Sequence, residues 1–202
     1  SGARCGVPEF RRGGTSLSAR GADAAVTVCI DFRNPKAYLA KDPTFALEDE
    51  LGLAFDWQSA RVAPLTRHAP ARDGEDRGTA HRRIRAEYHE RDHRRYAARA
   101  GLPMGDIYRN PDSTVADMGL LWSNAQSRAI ARRYVDAVFT RYWSEVLDIE
   151  DSSAIAAVLR EIGADDVGWV AYVANAGHVD LSGVRQRWTE AGVFDVPAYV
   201  VD

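Results

Sequence analysis

The chain has 202 residues, with 26 Lys and Arg against 29 Asp and Glu, and its formal net charge is -3. This length provides one substantial hydrophobic core rather than two independent ones. The slightly acidic balance argues against a general nucleic-acid binder, which favours a basic surface. No stretch approaches the roughly 20 consecutive apolar residues of a membrane-spanning helix, so we expect a cytoplasmic protein with neither membrane nor nucleic-acid partners.

The beginning of the chain predicts a leader followed by a βαβ unit. Residues 1–24 are rich in Gly, Ser and Arg and lack apolar periodicity, which is typical of a flexible leader. Residues 25–32 are apolar and β-branched and predict a buried strand. Asn34 and Pro35 suit the N-cap and first turn of a helix that extends to Leu51. The alternating residues 53–57 predict the second strand.

The middle of the chain is predicted to be almost wholly helical. Residues 60–78 are rich in Pro, Arg, Asp and Gly and indicate a loop. The charged residues 79–101 predict a helix that carries Ile84, Tyr88 and Tyr96 along one stripe. Further helices are expected at 112–124, 126–147, 152–162, 167–176 and 182–191. Strand character returns at 193–201.

Two cysteines and five histidines provide few candidates for cysteine or metal chemistry. Cys5 and Cys29 lie in unrelated contexts, so neither a disulfide framework nor a zinc ribbon is indicated. Residues 89–93, His-Glu-Arg-Asp-His, match the HExxH zinc pattern. Their arginine-rich surroundings oppose a dication, and no third ligand has suitable spacing. We therefore predict no metal site and interpret this segment as a solvated charged helix, although its arginines could also bind a carboxylate-bearing substrate.

Two segments at opposite ends of the predicted fold carry a family resemblance. Residues 30–40 read Ile-Asp-Phe-Arg-Asn-Pro-Lys-Ala-Tyr-Leu-Ala, and residues 192–202 read Gly-Val-Phe-Asp-Val-Pro-Ala-Tyr-Val-Val-Asp. They resemble Asp-Phe-x-Ser-Pro-x-x-Tyr-Leu-Ala and Gly-Val-Phe-Gly-Val-Pro-Thr-Phe-Val-Val-Asp of DsbA-like thioredoxin-fold proteins, in particular the 2-hydroxychromene-2-carboxylate isomerases and kappa-class glutathione transferases.

The resemblance implies an α/β thioredoxin-like fold with a large all-helical insertion. Residues 25–62 and 179–202 would form a discontinuous thioredoxin-like domain, with the completeness of its terminal hairpin left open, and residues 63–178 would form the insertion. It also implies a cis peptide between Val196 and Pro197, opposite the start of the first helix. If the bond were trans, Pro197 would be an ordinary edge-strand proline.

The resemblance implies a glutathione site at the same place. Asn34 would donate to the thiolate, the main chain of Val196 would clamp the cysteinyl part together with Pro35 and Pro197, and Arg33, Lys36 and Tyr38 are the substrate-binding candidates. Three alternatives stay open: Asn34 only caps the helix, Tyr38 is a core residue, or the final hairpin that holds the rest of glutathione in relatives is missing.

Two departures from the family limit the chemistry. Redox relatives have Cys-x-x-Cys where this chain has Asn-Pro-Lys-Ala at 34–37, so dithiol–disulfide exchange is not expected. Glutathione-using relatives have Ser at the position of Asn34. The predicted function is a glutathione-dependent isomerase or transferase of small aromatic or conjugated electrophiles, acting as a homodimer like many relatives. The alternative is a non-catalytic binding module that keeps the fold.

Overall fold

A computed structural model describes residues 26–201, so the predicted leader at 1–24 lies outside the described residues. This part of the chain contains three strands and seven helices. In chain order they are β1 Val26–Ile30, α1 Pro35–Leu51, β2 Asp56–Ser59, α2 Arg77–Ala100, α3 Thr114–Gln126, α4 Arg128–Trp143, α5 Ser152–Glu161, α6 Trp169–Ala174, α7 Ala176–Glu190 and β3 Ala198–Val201. The predicted order of strands and helices is confirmed.

The three strands form one mixed sheet in the order β2-β1-β3. β1 pairs in parallel with β2, from Thr27 opposite Asp56 to Ile30 opposite Ser59. It pairs antiparallel with β3, where Val26 lies opposite Val201. The apolar run of β1 is buried because this strand is central, and a strand with neighbours on both edges favours a continuous apolar sequence. The sheet therefore places the end of β1 and the start of β3 close together.

β2 begins three residues later than the alternation at 53–57 suggests. The carboxylate of Glu48, buried in α1, accepts hydrogen bonds from the Phe55 backbone N–H at 2.8 Å and from the Trp57 indole at 3.3 Å. Gly52 ends α1 with φ of 64°, a conformation that glycine adopts at little cost. These contacts fix the connection from α1 and leave only Asp56–Ser59 to pair with β1.

An aromatic cluster joins the sheet layer to the helices. Tyr38 of α1 stacks on Trp143 of α4, with ring centroids 5.4 Å apart and an interplanar angle of 10°. Phe32, just after β1, meets Phe139 edge-to-face at 4.9 Å. Such pairs stabilise a core beyond their buried area by about 0.5–1.5 kcal/mol each. The central strand, α1 and α4 thus share one hydrophobic core.

α2 differs from the amphipathic helix that its sequence suggests. Its stripe of Ile84, Tyr88 and Tyr96 is 51–56% exposed, whereas its buried residues are His93 and Ala97. α2 contacts α1, and the small side chain of Ala97 suits a close helix–helix approach. The predicted insertion boundary at 178 and 179 falls in the first turn of the continuous helix α7.

The packing of α3 against α4 depends on one glycine. A Cβ atom at Gly119 would lie 2.1 Å from Tyr134 Oη and 3.0 Å from Ile155 Cγ2. Tyr134 is held there because its hydroxyl donates to the Ala116 carbonyl at 2.8 Å. A residue without a side chain is therefore required at the crossing of these two helices.

Gly119→Ala is expected to lower the free energy of unfolding by about 1–3 kcal/mol, because the added methyl overpacks the core. Gly183→Ala in α7 is the matched control, since a Cβ there meets nothing within 4 Å. It should raise stability by about 0.5–1 kcal/mol through helix propensity. Urea denaturation measures both changes, and equal effects of the two substitutions would contradict this account of the α3–α4 crossing.

Candidate functional site

The junction between β1 and α1 is organised by Asn34 as the helix N-cap. Its side-chain Oδ1 accepts hydrogen bonds from the backbone N–H of Lys36 at 2.9 Å and of Ala37 at 3.3 Å. Pro35 occupies the first helical position, where the missing N–H costs nothing. Asn34 is nearly buried, and its amide nitrogen has no hydrogen-bond partner among residues 26–201. This N–H₂ group is therefore available as a donor at the positive end of the α1 dipole.

A buried ion pair holds the chain just before the N-cap. The Arg33 guanidinium donates from Nε to Asp31 Oδ1 at 2.9 Å and from Nη2 to Oδ2 at 2.6 Å, a bidentate arrangement. Its Nη1 donates to Asn110 Oδ1 at 2.5 Å. Asp31 also accepts from the backbone N–H of Val62 at 3.3 Å. The pair thus connects the β1–α1 turn to the loops that follow β2 and α2.

The loop before β3 lies against the start of α1. Its Val196–Pro197 peptide is cis, as the family resemblance implied. Asp195 joins the two segments, because Oδ2 accepts from Lys36 Nζ at 2.5 Å and Oδ1 accepts from the Val196 backbone N–H at 2.9 Å. Both charged side chains are about half exposed, so this ion pair contributes little stability and can open toward a ligand.

Two cavities flank Lys36 and are separated by the histidines of α2. The first, the α1–α2 cavity, has a volume of about 650 Å³ and is lined by Lys36, Leu39, Ala40, Pro43, His89, His93 and Tyr96, among others. The second, the basic cavity, has about 470 Å³ and includes Lys36, Leu65, His68, Arg82, Arg85, His89, His93 and Tyr108 in its lining. The described lining of the basic cavity contains no Asp and no Glu. Together they provide volumes typical of small-ligand sites.

His93 lies at the shared boundary of these cavities. Burial lowers its pKa, and the positive charges of His89 and Lys36 lower it further, whereas Asp92 acts in the opposite direction. The rings of His89 and His93 are stacked with centroids 6.4 Å apart. Among residues 26–201, no group of three or more His, Cys, Asp or Glu side chains is arranged to hold a metal ion. The HExxH segment therefore contributes two histidines to a cavity wall.

The described cysteine is sealed inside the central strand. Cys29 lies within β1, is fully buried, and has a free thiol. Burial raises the pKa of this thiol to about 12, with Asp56 adding to the effect, so it stays protonated and unreactive at neutral pH. Cys5 lies outside the described residues.

A cis-proline loop facing the N-terminus of the first helix, beside a parallel β1–β2 pair, matches a known domain. The family model described as DSBA-like thioredoxin domain matches residues 25–202. The chain belongs to the DSBA-like thioredoxin domain family. The fold class predicted from the sequence is thereby confirmed.

Solved structures agree with this fold for the DSBA-like domain. A 2-hydroxychromene-2-carboxylate isomerase is 23% identical, with a TM-score of 0.66 over 88% of this chain and 85% of that one. The cytosolic disulfide reductase DsbM from Pseudomonas aeruginosa, in a structure with GSH, is 16% identical, with a TM-score of 0.57 over 88% and 85% of the two chains. At these identities the likeness concerns the fold alone. No match was found among curated protein sequences.

Five of the predicted site residues come together in this DSBA-like domain. Asn34, Pro35 and Lys36 open α1, and Val196 and Pro197 face them through the contacts of Asp195. None of the described helices has the length and apolar character that a membrane span requires. The predicted arrangement of helix start and cis-proline loop is thus present.

The two other predicted substrate contacts are held inside the fold. Arg33 is only 6% exposed, and its guanidinium is occupied by Asp31 and Asn110. Tyr38 is fully buried in the aromatic cluster, and burial raises its pKa to about 12. Their roles in substrate binding stay predictions, and each would require the described packing to open.

Sequence reasoning missed three residues of the site. The sequence predicts that His93 lies on a solvated helix. A histidine among apolar positions is only a weak sign that a helix faces a cavity. Asp31 and Asp195 were not singled out. Asp31 lies two residues before Arg33, and Asp195 lies directly before Val196, but these positions become informative only once the contacts are known.

Asp31→Asn is expected to lower the free energy of unfolding by about 3–5 kcal/mol, because it leaves the buried Arg33 charge without its carboxylate. Arg61→Gln is the control, since its pair with Asp112 is 45% and 57% exposed and should contribute at most about 1 kcal/mol. Thermal and urea unfolding measure both variants. A loss for Asp31→Asn no larger than that for Arg61→Gln would contradict the structural role of the buried pair.

Proposed function

We propose that the protein is a glutathione-dependent isomerase or transferase that acts on small conjugated electrophiles carrying an anionic group. The observation that carries this proposal is the Asn34-capped start of α1, which lies against a cis-proline loop, has Lys36 in the lining of two cavities, and contains no cysteine. A DsbM structure with GSH in the same fold supports the choice of thiol ligand.

The residues present fit a bound glutathione thiol. The Asn34 amide is a free donor, the α1 N-terminus provides partial positive charge, and Lys36 adds a full charge beside it. Each of these favours the thiolate over the thiol. In this proposal the main chain around Val196, in the loop just before the edge strand β3, pairs with an extended peptide such as glutathione by β-augmentation. The Val196 N–H, which donates to Asp195 Oδ1, would first have to be released. When bound, glutathione supplies a thiolate that adds to a conjugated double bond and, in an isomerisation, leaves it again.

The charges of the basic cavity define the second ligand. Arg82, Arg85 and Lys36 contribute to its described lining, which contains no Asp or Glu, and Lys36 pairs with Asp195 outside that lining. Arg85 is oriented by its Nε, which donates to His89 Nε2 at 3.4 Å. Guanidinium groups recognise planar carboxylates through paired hydrogen bonds. The protein would thus orient a conjugated acid with its double bond toward the thiol at α1.

One observation favours the alternative of a non-catalytic binding module. The Oδ1 atom of Asn34 is fully used in capping α1, with bonds of 2.9 and 3.3 Å to Lys36 and Ala37. Asn34 is therefore sufficiently explained as a helix cap. The two functions differ in one measurable respect, because only the enzyme stabilises the thiolate form of bound glutathione.

Calorimetric titration of glutathione into the protein is expected to show saturable binding that is stronger than that of S-methylglutathione. Asn34→Asp keeps the capping oxygen but replaces the N–H₂ donor with a negative charge, so it should weaken glutathione binding by about tenfold or more, corresponding to about 1.4 kcal/mol. Asn34→Ser keeps a cap and a donor and should bind glutathione at least as tightly as the wild type.

The same titration separates the two functions. Equal affinity for glutathione and S-methylglutathione, unchanged by Asn34→Asp, would support the binding module. No binding of either peptide at millimolar concentration would contradict the proposed use of glutathione.

Arg85→Gln is expected to weaken binding of cinnamate, a conjugated carboxylic acid, by about tenfold, because it removes a charge-assisted contact. Arg91→Gln is the matched control on the same helix, since Arg91 is exposed and its Nε donates to the Glu87 carbonyl. Neutral cinnamamide should bind weakly to all three proteins. Fluorescence or calorimetric titration measures these affinities, and equal losses in Arg85→Gln and Arg91→Gln would contradict the assignment of the basic cavity.

A further inference from the structure

His93 is a titratable side chain with no hydrogen-bond partner among the contacts described above. It is 8% exposed, and its Nδ1 is shielded from solvent with no hydrogen-bond partner among residues 26–201. It borders both the α1–α2 cavity and the basic cavity. With Nδ1 sealed off, the imidazole presents its other edge, which carries Nε2, to these cavities. Any exchange of a proton with a ligand in these cavities therefore takes place at Nε2.

His93 is also close to the start of α1. The charge of Lys36 acts on the imidazole, and Lys36 lines both cavities together with His93. The backbone N–H of the same Lys36 is one of the two groups capped by Asn34. Lys36 thus connects the helix start, where the proposed thiol would be held, to the cavities that the imidazole borders.

The charges around His93 keep it neutral before a ligand binds. On α2 it is flanked by His89 and Asp92, and the two cavities add charged or titratable groups from α1, α2 and the loops. These groups are Lys36, His68, Arg82, Arg85, Arg99 and Tyr108, and the Lys36 ammonium pairs with Asp195. Positive charge dominates, and burial with this charge lowers the pKa of His93. A neutral imidazole in cationic surroundings can accept a proton only when negative charge appears beside it.

We propose that His93 accepts the thiol proton of glutathione bound at the N-terminus of α1. This inference rests on the function proposed above and names the base that the site uses. The S–H bond breaks, its electron pair stays on sulfur, and the proton forms an N–H bond on the imidazole. The resulting thiolate and imidazolium neutralise one another, while Asn34 and the helix N-terminus hold the sulfur. No oxidant, reductant or further reactant is needed.

A base on α2 would explain how this chain activates a thiol without the serine or cysteine that its relatives have at position 34. Asn34 donates a hydrogen bond but cannot remove a proton at neutral pH. A base supplied by α2 completes the activation, as nucleophile activation by an adjacent histidine does in other enzymes. Asn34 at the start of α1 thus donates a hydrogen bond to the sulfur, and His93 of α2 accepts the proton of the thiol.

The test is a proton NMR titration of the histidines in the wild-type protein, without ligand, with saturating glutathione, and with saturating S-methylglutathione. Glutathione should raise the pKa of His93 by at least one unit, because the imidazolium pairs with the thiolate. S-methylglutathione, which has no thiol proton, should leave it near its ligand-free value. His81, which is exposed on α2, serves as the internal control and should not respond.

A second measurement uses the ultraviolet absorbance of the bound thiolate as a function of pH. His93→Gln should shift its formation to higher pH by at least one unit, and His81→Gln should leave it unchanged. Circular dichroism verifies that both variants keep their helices. If His93→Gln does not fold, the wild-type titration decides the question alone.

The outcomes separate this inference from the proposed function. Glutathione that binds as a thiolate with no change in the His93 pKa, or with the same pH profile in His93→Gln, would overturn the role of His93 and leave the glutathione site intact. Failure of both peptides to bind would overturn the proposed function and this inference together. A His93 response equal for glutathione and S-methylglutathione would also overturn it, since it would reflect burial by the ligand and not proton transfer.

Discussion

The buried pair of Asp31 and Arg33 is the interaction on which the rest of the site depends. β1 must end, turn and start α1 within four residues, and this pair holds that turn with two hydrogen bonds of 2.9 and 2.6 Å. Through Asn110 and Val62 it also fixes the two loops that border the basic cavity. Removing two charges from water is costly unless both are fully paired, so the arrangement specifies one geometry. The first turn of α1, with its capped amides, is thereby presented in a fixed direction.

Much of the fold could be predicted because its sequence signals are local. The apolar run of β1 and the Asn-Pro start of α1 are read directly from neighbouring residues. β2 was placed too early because strand limits depend on pairing with β1 and on the Glu48 carboxylate, neither of which alternation encodes. The stripe of Ile84, Tyr88 and Tyr96 lies on an exposed face for a similar reason, because α2 turns His93 and Ala97 toward α1.

The candidate site was only partly predictable. Residues of the two family-like segments, such as Asn34 and Pro197, carry a resemblance that locates them before any contact is known. His93 comes from a helix between these segments, and its position beside Lys36 arises from tertiary packing alone. The HExxH pattern did not indicate this position of His93, because the pattern suggests metal binding and not a place in a cavity wall. Packing brings three elements together. In the proposed function, α1 would supply donors and positive charge, the loop before β3 would supply main-chain contacts, and α2 would supply histidines and arginines.

The central claim is that glutathione binds between the start of α1 and the loop before β3. The most direct measurement is a titration of glutathione followed by nitrogen–proton amide correlation spectra of the assigned protein, because it locates the ligand residue by residue. The account predicts that the largest shifts occur at the amides of Lys36, Ala37 and Val196, with smaller changes along α2 near His93. Shifts concentrated on α5 and α6, or none at saturating glutathione, would contradict it.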